Sequence, residues 1–373
     1  VMKKEVYESI GVLVGTIIGA GVLGIPYVIS KAGFLTGLAT IILLGLVVLT
    51  INLSIGEVVL RTKGNHQLTG YAEKYLGKKG KIIMSLSMIV GITGALLAYI
   101  VGAGEAFGAI FNVNPFLFSI GFFIFGSFLV YKGIKSVSKY ELYFSSIVIA
   151  LILLISFNSF FSGKMNLSNL AEFNLLKLFV PYGVVLFAFI GAAAIPEMSE
   201  VLKKNKKDMK KAIIIGSFIP LFLYALFAFA IVGVFGMNVT EIATVGLGAE
   251  FGMWVLIVAN LFAVFAMTTS FLTLGLALRE MYNYDLKFKK FASWGLACFI
   301  PIVLFLFGFK NFINILGTTG VIAGGVEGIL IVLMLWKAKK KSERKPEYTV
   351  NVGKFLGFVL IAVFILGVIL NFI

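Results

Sequence analysis

The chain has 373 residues, of which 60% are hydrophobic and 13% are charged, and its mean hydropathy is +1.04. Because a soluble domain carries about 25% charged residues, this composition excludes a soluble globular protein and indicates a single polytopic membrane domain, residues 1–373. The net charge of +15 does not indicate nucleic-acid binding, because the lysines and arginines lie in short loops between apolar runs, where they set membrane topology.

The first apolar run is interrupted where a membrane helix should continue. Its segment Gly15–Tyr27, GTIIGAGVLGIPY, contains four glycines and a proline. In a helix interior a glycine costs about 1 kcal/mol and a proline about 3 kcal/mol, and free backbone groups at membrane depth are tolerated only where they are buried in protein or line a cavity. The sequence therefore predicts a broken first helix whose free amides and carbonyls bind a ligand.

Eleven apolar runs, each near the length that crosses a bilayer, are bounded by charged or turn residues. They predict membrane spans at 6–29, 34–60, 82–111, 115–131, 140–161, 178–202, 212–235, 249–282, 291–307, 312–336 and 355–372. These spans leave no room for a sizeable soluble domain.

The basic residues predict the orientation of the spans. If the N-terminus is cytoplasmic, the external side keeps only four of the 32 lysines and arginines, namely Lys31, Lys164, Lys177 and Lys310. This asymmetry satisfies the positive-inside rule, and eleven spans then place the C-terminus outside. The basic loops, such as Lys203–Lys211, are interpreted as topology signals, with binding of anionic lipid as the alternative.

A second interrupted stretch, FAFIGAAAIPEM at Phe187–Met198, repeats the first. Both contain Ile-Gly-Ala followed by Ile-Pro. Five spans separate the two motifs, so the two halves have opposite orientations. This predicts an inverted repeat of 1–161 and 176–336, with an extra C-terminal helix at 353–373. Inverted repeats place the substrate near the membrane midplane, between discontinuous helices.

Three stretches of the chain resemble one group of transporters. They are GTIIGAGVLGIPYVISKAGF at Gly15–Phe34, FAFIGAAAIPEMSEVLKKNKKDMKKAI at Phe187–Ile213 and FAMTTSFLTLGLALRE at Phe265–Glu280. On these motifs the chain resembles the amino acid/auxin permease family of the amino acid–polyamine–organocation superfamily. It is also similar to the aromatic amino acid permeases and the sodium-coupled neutral amino acid transporters. The resemblance implies an all-α LeuT-type fold, with helices 1 and 6 broken, and cation-coupled amino acid uptake.

The two breaks supply the chemistry that an amino acid needs. Amides at the start of a half-helix favour a carboxylate, carbonyls freed at the second break accept hydrogen bonds from an ammonium group, and Gly21 is expected to let a ligand approach the backbone closely. The predicted substrate site comprises Gly19, Ala20, Gly21 and Val22 of the first break and Phe187, Ala188, Phe189, Ile190 and Gly191 of the second. Val22, Phe187 and Phe189 predict an apolar or aromatic substrate side chain. Lipid contact or packing is the alternative for each phenylalanine, since the chain has 37 of them.

Two kinds of coupling site are candidates. The resemblance implies that the hydroxyls of Thr268 and Thr269, with the carbonyls of Gly15 and Ile18, form an oxygen cage for Na⁺. Hydrogen bonds to the backbone or to a neighbouring helix are the alternative for these hydroxyls. Glu327 lies ~13 Å inside the end of the tenth span and is a candidate proton carrier, with a hydrogen-bonded structural carboxyl as the alternative.

Four other glutamates lie nearer the ends of spans. Glu57 and Glu105 are expected to be solvated or paired charges. Glu197 and Glu200 follow the second break, and we expect them to pair with loop lysines near an inner gate.

These features predict a secondary transporter that carries neutral, apolar or aromatic amino acids in symport with Na⁺ or H⁺ by alternating access. A transporter-like amino acid sensor, or a channel, is the alternative. An enzyme is excluded, because the chain has one histidine, one cysteine and only two aspartates, Asp208 and Asp285, both in predicted cytoplasmic segments. The same composition leaves no His/Cys cluster for a metal, and no loop carries an ATP-binding G-x-x-x-x-G-K-[ST] motif.

The expected setting is the plasma membrane. The predicted partners are a small-molecule amino acid and the lipid bilayer, with no nucleic acid, and the protein is expected to be a monomer. No cofactor is expected other than Na⁺, if that cation is used.

Overall fold

The computed structural model describes residues 3–133 and 137–371, and its regular secondary structure in these ranges is entirely helical. The α-helices, numbered in chain order, are α1 (Lys4–Ile17), α2 (Gly21–Ala32), α3 (Phe34–Arg61), α4 (Leu68–Phe111), α5 (Pro115–Lys132), α6 (Val137–Phe161), α7 (Tyr182–Phe189), α8 (Ile195–Val201), α9 (Met209–Phe235), α10 (Leu247–Phe251), α11 (Met253–Glu280), α12 (Lys290–Leu306), α13 (Phe312–Thr319), α14 (Gly325–Lys340) and α15 (Lys354–Asn371).

Several single helices, and some helices joined end to end, have the length and composition of membrane spans. Within the described ranges, eight are long and apolar enough to cross a bilayer, or nine if the bent pair α1–α2 is one span. Two shorter apolar helices are Ser146–Phe161, within α6, and α12. The chain is therefore an all-helical polytopic membrane protein, as its composition predicts.

Burial separates central helices from peripheral ones. In the span Tyr182–Val201, which contains α7 and α8, 67% of the most apolar 18-residue stretch is buried. In Phe312–Lys340, which contains α13 and α14, the buried share is 72%. The corresponding value for α15 is 22%. All residues of α2 except Tyr27 and Lys31 are also buried. The two interrupted segments thus lie in the centre of the molecule, and the C-terminal helix lies at its edge.

The helix α4 begins earlier than the sequence predicts. It starts at Leu68 rather than at residue 82, and its first part is separated from the rest by Gly77, whose φ of 76° favours glycine. Before this kink, Tyr71, Ala72 and Tyr75 are buried while the charged residues are exposed. The charged residues lower the hydropathy of this segment, which therefore predicted a loop. In the structure they lie on one face of an amphipathic helix.

The tenth predicted span is helical throughout but not uniformly α-helical. A π-helical turn, Gly320–Gly324, joins α13 to α14. Glycines on both sides allow close packing here, because a Cβ on Gly183 of α7 would lie 2.5 Å from the carbonyl oxygen of Gly317. Hydropathy did not predict this turn, because it does not distinguish an α-turn from a π-turn.

The strap, residues 341–353, connects α14 to α15 along the end of α3. The Arg344 amide donates to the Arg61 carbonyl at 3.3 Å. Glu57, which is fully buried, accepts from Arg61 Nε at 2.7 Å and from the Val350 amide at 2.6 Å. Glu57 is thus a paired charge, one of the two states expected of it.

Candidate functional site

The first break separates α1 from α2, whose axes differ in direction by 56°. Ile18 leaves the helical conformation, with φ −82° and ψ 89°, after its amide makes the last bond of α1, to the Val14 carbonyl at 2.8 Å. The glycines lower the steric cost of this turn. The Val22 and Leu23 amides donate to the Gly19 and Ala20 carbonyls at 3.4 and 3.0 Å. The first amides of a helix have no intrahelical acceptor, and among the described residues the amides of Ala20 and Gly21 are the ones left without a backbone acceptor at the start of α2. Within the predicted segment Gly19–Gly21, the Gly19 amide is not free, since it donates to the Ile17 carbonyl at 3.0 Å.

The second break lies between α7 and α8. Ile190, with φ −59° and ψ 120°, ends α7, Gly191 follows in a non-helical conformation, and a 3₁₀ turn at Ala192–Ala194 precedes α8. The last carbonyls of α7 have no intrahelical donor. Both sequence motifs thus correspond to real interruptions of the helix.

The two breaks are in direct contact. A Cβ on Gly21 would lie 2.8 Å from both Cα and Cβ of Ala188. Gly21 was predicted to permit the approach of a ligand, but the group that approaches it is the backbone of the second break. The glycine at this position is required by helix packing.

Within the first break, Gly19 lies beside the hydroxyl groups of two side chains. A Cβ on this residue would lie 3.6 Å from Tyr99 Oη and 3.8 Å from Ser270 Oγ, which are ordinary contact distances. Tyr99 belongs to α4 and Ser270 belongs to α11. The first break is therefore bordered by hydroxyl groups that belong to two other helices.

Tyr224 of α9 links the two breaks. Its hydroxyl is fully buried and lies 2.9 Å from the Ile17 carbonyl oxygen, at the end of α1, and 3.0 Å from the Ala188 carbonyl oxygen, in α7. One hydroxyl proton cannot fully satisfy two acceptors, so carbonyl lone pairs remain available at this point. Neither Tyr224 nor Tyr99 was among the predicted site residues. The one signal was a phenol within an otherwise apolar span, because buried tyrosine hydroxyls usually have a partner.

The two threonines predicted to bind Na⁺ form hydrogen bonds within their own helix, α11. The Thr268 hydroxyl donates to the Val264 carbonyl at 2.8 Å, and the Thr269 hydroxyl donates to the Ala266 carbonyl at 2.9 Å. These bonds to their own helix were the alternative stated for both residues. Each hydroxyl oxygen keeps lone pairs that can still face a cation. Ser270, the next residue, is the α11 hydroxyl that lies beside the first break.

Glu327 lies beside the second break. Its side chain is buried and lines a cavity of ≈ 20 Å³, together with Asn52, Ile190, Gly191 and Ala192. Such a volume has room for about one water molecule. Asn52 donates to Ser217 Oγ at 3.4 Å, while its own Oδ1 has no partner in the described residues. A buried glutamate and a buried asparagine thus line the same small space at the second break.

The remaining glutamates are at the surface. Glu105, Glu197 and Glu200 are exposed. The predicted pairing of Glu197 and Glu200 with loop lysines is wrong for the described part of the chain, where neither carboxylate forms an ion pair. With Ala193, they form an exposed face at a helical spacing of three to four residues, directly after the second break.

The whole chain is similar to bacterial amino acid transport proteins. It is 31% identical to a tyrosine-specific transport system of Haemophilus influenzae, over 99% of this chain and 96% of that protein. It is 26% identical to a glutamine transporter of Aliivibrio fischeri, over 96% and 97% of the two chains. It is also 26% identical to a tryptophan-specific transport protein of Shigella flexneri, over 95% and 91%.

Solved structures show the same fold at low sequence identity. MhsT, in complex with L-phenylalanine, superposes with a TM-score of 0.71 at 15% identity and covers 98% of this chain and 97% of its own. A manganese transporter of Eremococcus coleocola gives a TM-score of 0.64 at 13% identity, over 98% and 85%. The chain therefore shares the LeuT-type fold of these proteins.

A family model decides the assignment. The model of the tryptophan/tyrosine permease family matches residues 2–373. This places the chain among the aromatic amino acid permeases that its motifs resemble, and among transport proteins rather than enzymes. The chain belongs to the tryptophan/tyrosine permease family.

Proposed function

We propose that this protein is a secondary transporter that moves neutral amino acids with apolar or aromatic side chains, in symport with a cation, by alternating access. The observation that carries the proposal is the contact between the two helix breaks. The free amide of Gly21, at the start of α2, lies beside the carbonyl end of α7, and the Tyr224 hydroxyl bonds to carbonyl oxygens of both breaks. Donors for a carboxylate and acceptors for an ammonium group are thus brought to one place.

The substrate site in this proposal consists of Gly19–Val22 and Phe187–Gly191. The carboxylate binds the amides at the start of α2, where the helix dipole is positive. The ammonium group binds carbonyl oxygens near Ala188. Phe187, which is half-buried, contacts the substrate side chain. The relatives named for tyrosine, tryptophan and glutamine, and the phenylalanine bound to MhsT, support a neutral amino acid.

Coupling is assigned to one of two cations. A proton on Glu327 would neutralise the only carboxyl among the described residues that line the cavity at the second break. Na⁺ would instead bind Thr268, Thr269 and the carbonyls of Gly15 and Ile18. We favour the proton, because the hydroxyls of both threonines already bond to their own helix, whereas Glu327 forms no side-chain hydrogen bond or ion pair with the described residues and lines the cavity beside the second break.

The membrane arrangement follows from the same proposal. Eleven spans cross the plasma membrane as two inverted repeats of five, within one monomeric domain, and α15 is the eleventh. The N-terminus is cytoplasmic and the C-terminus is external. The chain then falls within the amino acid/auxin permeases of the amino acid–polyamine–organocation superfamily.

Ligand-induced thermal stabilisation tests the substrate assignment. The purified protein is heated with each of the twenty amino acids, with and without Na⁺, at two pH values. We expect a rise in unfolding temperature with one or a few neutral amino acids. Gly19→Ala, which fills the space before Tyr99 and Ser270, should reduce the rise. Gly121→Ala, where a Cβ would meet no atom within 4 Å, should not. No rise with any amino acid would move the assignment to another class of substrate.

A transporter-like sensor or a channel is the competing function. Saturable uptake by proteoliposomes, with accumulation against a gradient, separates coupled transport from both. A channel shows no accumulation, and a sensor shows binding without uptake.

A further inference from the structure

A basic cavity of ≈ 850 Å³ lies at the end of the molecule where α1 begins and α3 ends. Four segments that are distant in sequence line it: the N-terminus at Lys3, the end of α3 at Lys63, the loop 203–208 and the strap at Arg344. Among the described residues, seven lysines and arginines line this cavity, against two carboxylates, Asp208 and Glu347.

Few of these charges are neutralised within the protein. Arg344 pairs with Glu347 at 2.6 Å. Lys3 donates to the amide oxygen of Asn205 at 2.7 Å, which ties the N-terminus to the loop. The four lysines of 203–207 form no ion pair or hydrogen bond through their ammonium groups in the described part of the chain. Concentrated like charges repel one another, and a concave wall strengthens their joint field.

The positive-inside rule explains why lysines occur on this side of the membrane, but not why they line a cavity. Other lysines of the chain, such as Lys78, Lys79, Lys289 and Lys290, are exposed and do not line it. Lysine is a strong point-charge ligand of phosphate groups, and clustered lysines next to a membrane bind anionic headgroups. A monovalent anion would neutralise little of this charge, whereas a phosphate-bearing anion matches it.

We infer that this cavity is a binding site for a phosphate-bearing anion, either the headgroup of an anionic lipid or a soluble phosphate compound. The walls connect the start of α1 with the loop that follows α8. These are the outer ends of the two helices that lead to the breaks. An anion bound between them holds these ends together, and thereby stabilises the closed form of this side of the protein. The binding claim is independent of the transport proposal, and only the effect on opening rests on it.

The test measures thermal unfolding of the full chain in nanodiscs. In phosphatidylcholine discs, sodium pyrophosphate is compared with sodium chloride at equal ionic strength. In a second arm, phosphatidylglycerol discs are compared with phosphatidylcholine discs without pyrophosphate. Stabilisation by pyrophosphate identifies a site for soluble phosphate compounds, and stabilisation by phosphatidylglycerol alone identifies a headgroup site.

The matched variants each remove four exposed or loop lysines. In the cavity variant, Lys203, Lys204, Lys206 and Lys207 are replaced by Gln. In the control variant, Lys78, Lys79, Lys289 and Lys290 are replaced by Gln. The cavity variant should need about tenfold more pyrophosphate, or lose the phosphatidylglycerol effect, while the control responds like the wild type.

Two results would overturn the inference. One is an absence of stabilisation of the wild type in both arms, a result that needs no variant to fold. The other is an equal loss in both variants, which would indicate a general charge effect. Stabilisation by amino acids, measured on the same samples, reports the proposed transport function separately, so the two proposals fail independently.

Discussion

The two helix breaks have similar sequences but different surroundings. Gly19, in the first break, faces the hydroxyls of Tyr99 and Ser270. The second break faces the carboxyl of Glu327 across a cavity of ≈ 20 Å³. The repeated Ile-Gly-Ala motif thus accompanies an interrupted helix at both places, while the neighbouring helices determine which polar side chains lie beside each interruption. In the proposed function both breaks bind the substrate, and the second break alone adds a carboxyl that can hold the coupling proton.

The largest expected effect concerns the contact that joins the two breaks. Gly21→Val should abolish uptake, because a Cβ there would lie 2.8 Å from the Ala188 backbone and would push α2 away from α7. Overpacking of this kind lowers the free energy of unfolding by about 1–3 kcal/mol. Proteoliposome uptake and thermal unfolding measure the two effects. Gly121→Val is the control, since a Cβ at that position has open space. Normal uptake by the Gly21 variant would contradict direct packing of the breaks.

The next effect concerns the hydroxyl that bridges the breaks. Tyr224→Phe removes a donor that lies within 3.0 Å of two buried carbonyl oxygens. An unsatisfied buried group costs about 1–3 kcal/mol, so substrate affinity should fall about tenfold or more while the aromatic ring still fills its space. Binding calorimetry measures the affinity. Tyr7→Phe, at an exposed position of α1, should bind like the wild type. Equal affinities for all three proteins would show that the breaks do not need this bridge.

Replacement of the carboxyl at the second break tests whether Glu327 holds the coupling proton. Glu327→Gln keeps the shape of the side chain but cannot exchange a proton. Uptake should therefore lose its dependence on a pH gradient, while the amino acid still stabilises the protein against heat. Glu105→Gln, which changes an exposed carboxyl of α4, is the control. If uptake by the Glu327 variant still follows the pH gradient, the proton is bound elsewhere.

The smallest expected effect concerns the threonines of α11. Replacing Thr268 and Thr269 together by Ala removes two hydrogen bonds to their own helix, and each such bond contributes about 0.5–1.5 kcal/mol at most. We expect uptake driven by a proton gradient to change little. Thr16→Ala, which removes the same kind of bond in α1, is the matched control. Loss of sodium-stimulated uptake in the double variant alone would assign coupling to Na⁺ and return the cation site to α11.

The sequence by itself determined the features that depend on local composition. Apolar runs of spanning length identified a polytopic membrane protein, because a bilayer selects helices about 20 residues long. Glycine and proline within Gly15–Tyr27 and Phe187–Met198 located both breaks, because these residues disfavour a continuous helix wherever the chain folds. The same stretches carried the resemblance to the aromatic amino acid permeases. Glu327 was noticed because a carboxyl within an apolar run is rare.

Only the tertiary structure decided which groups meet at the breaks. Tyr99, Ser270 and Tyr224 come from three other helices, and nothing in their local sequence states that they lie next to Gly19, Ile17 or Ala188. Gly21 shows the same limit. A glycine permits the close approach of either a ligand or a neighbouring backbone, and only the structure shows that Ala188 packs against it. Hydropathy indicates how much of a segment is buried, but it does not identify the helix that packs against the segment. The partners of each break therefore follow from the packing of distant helices.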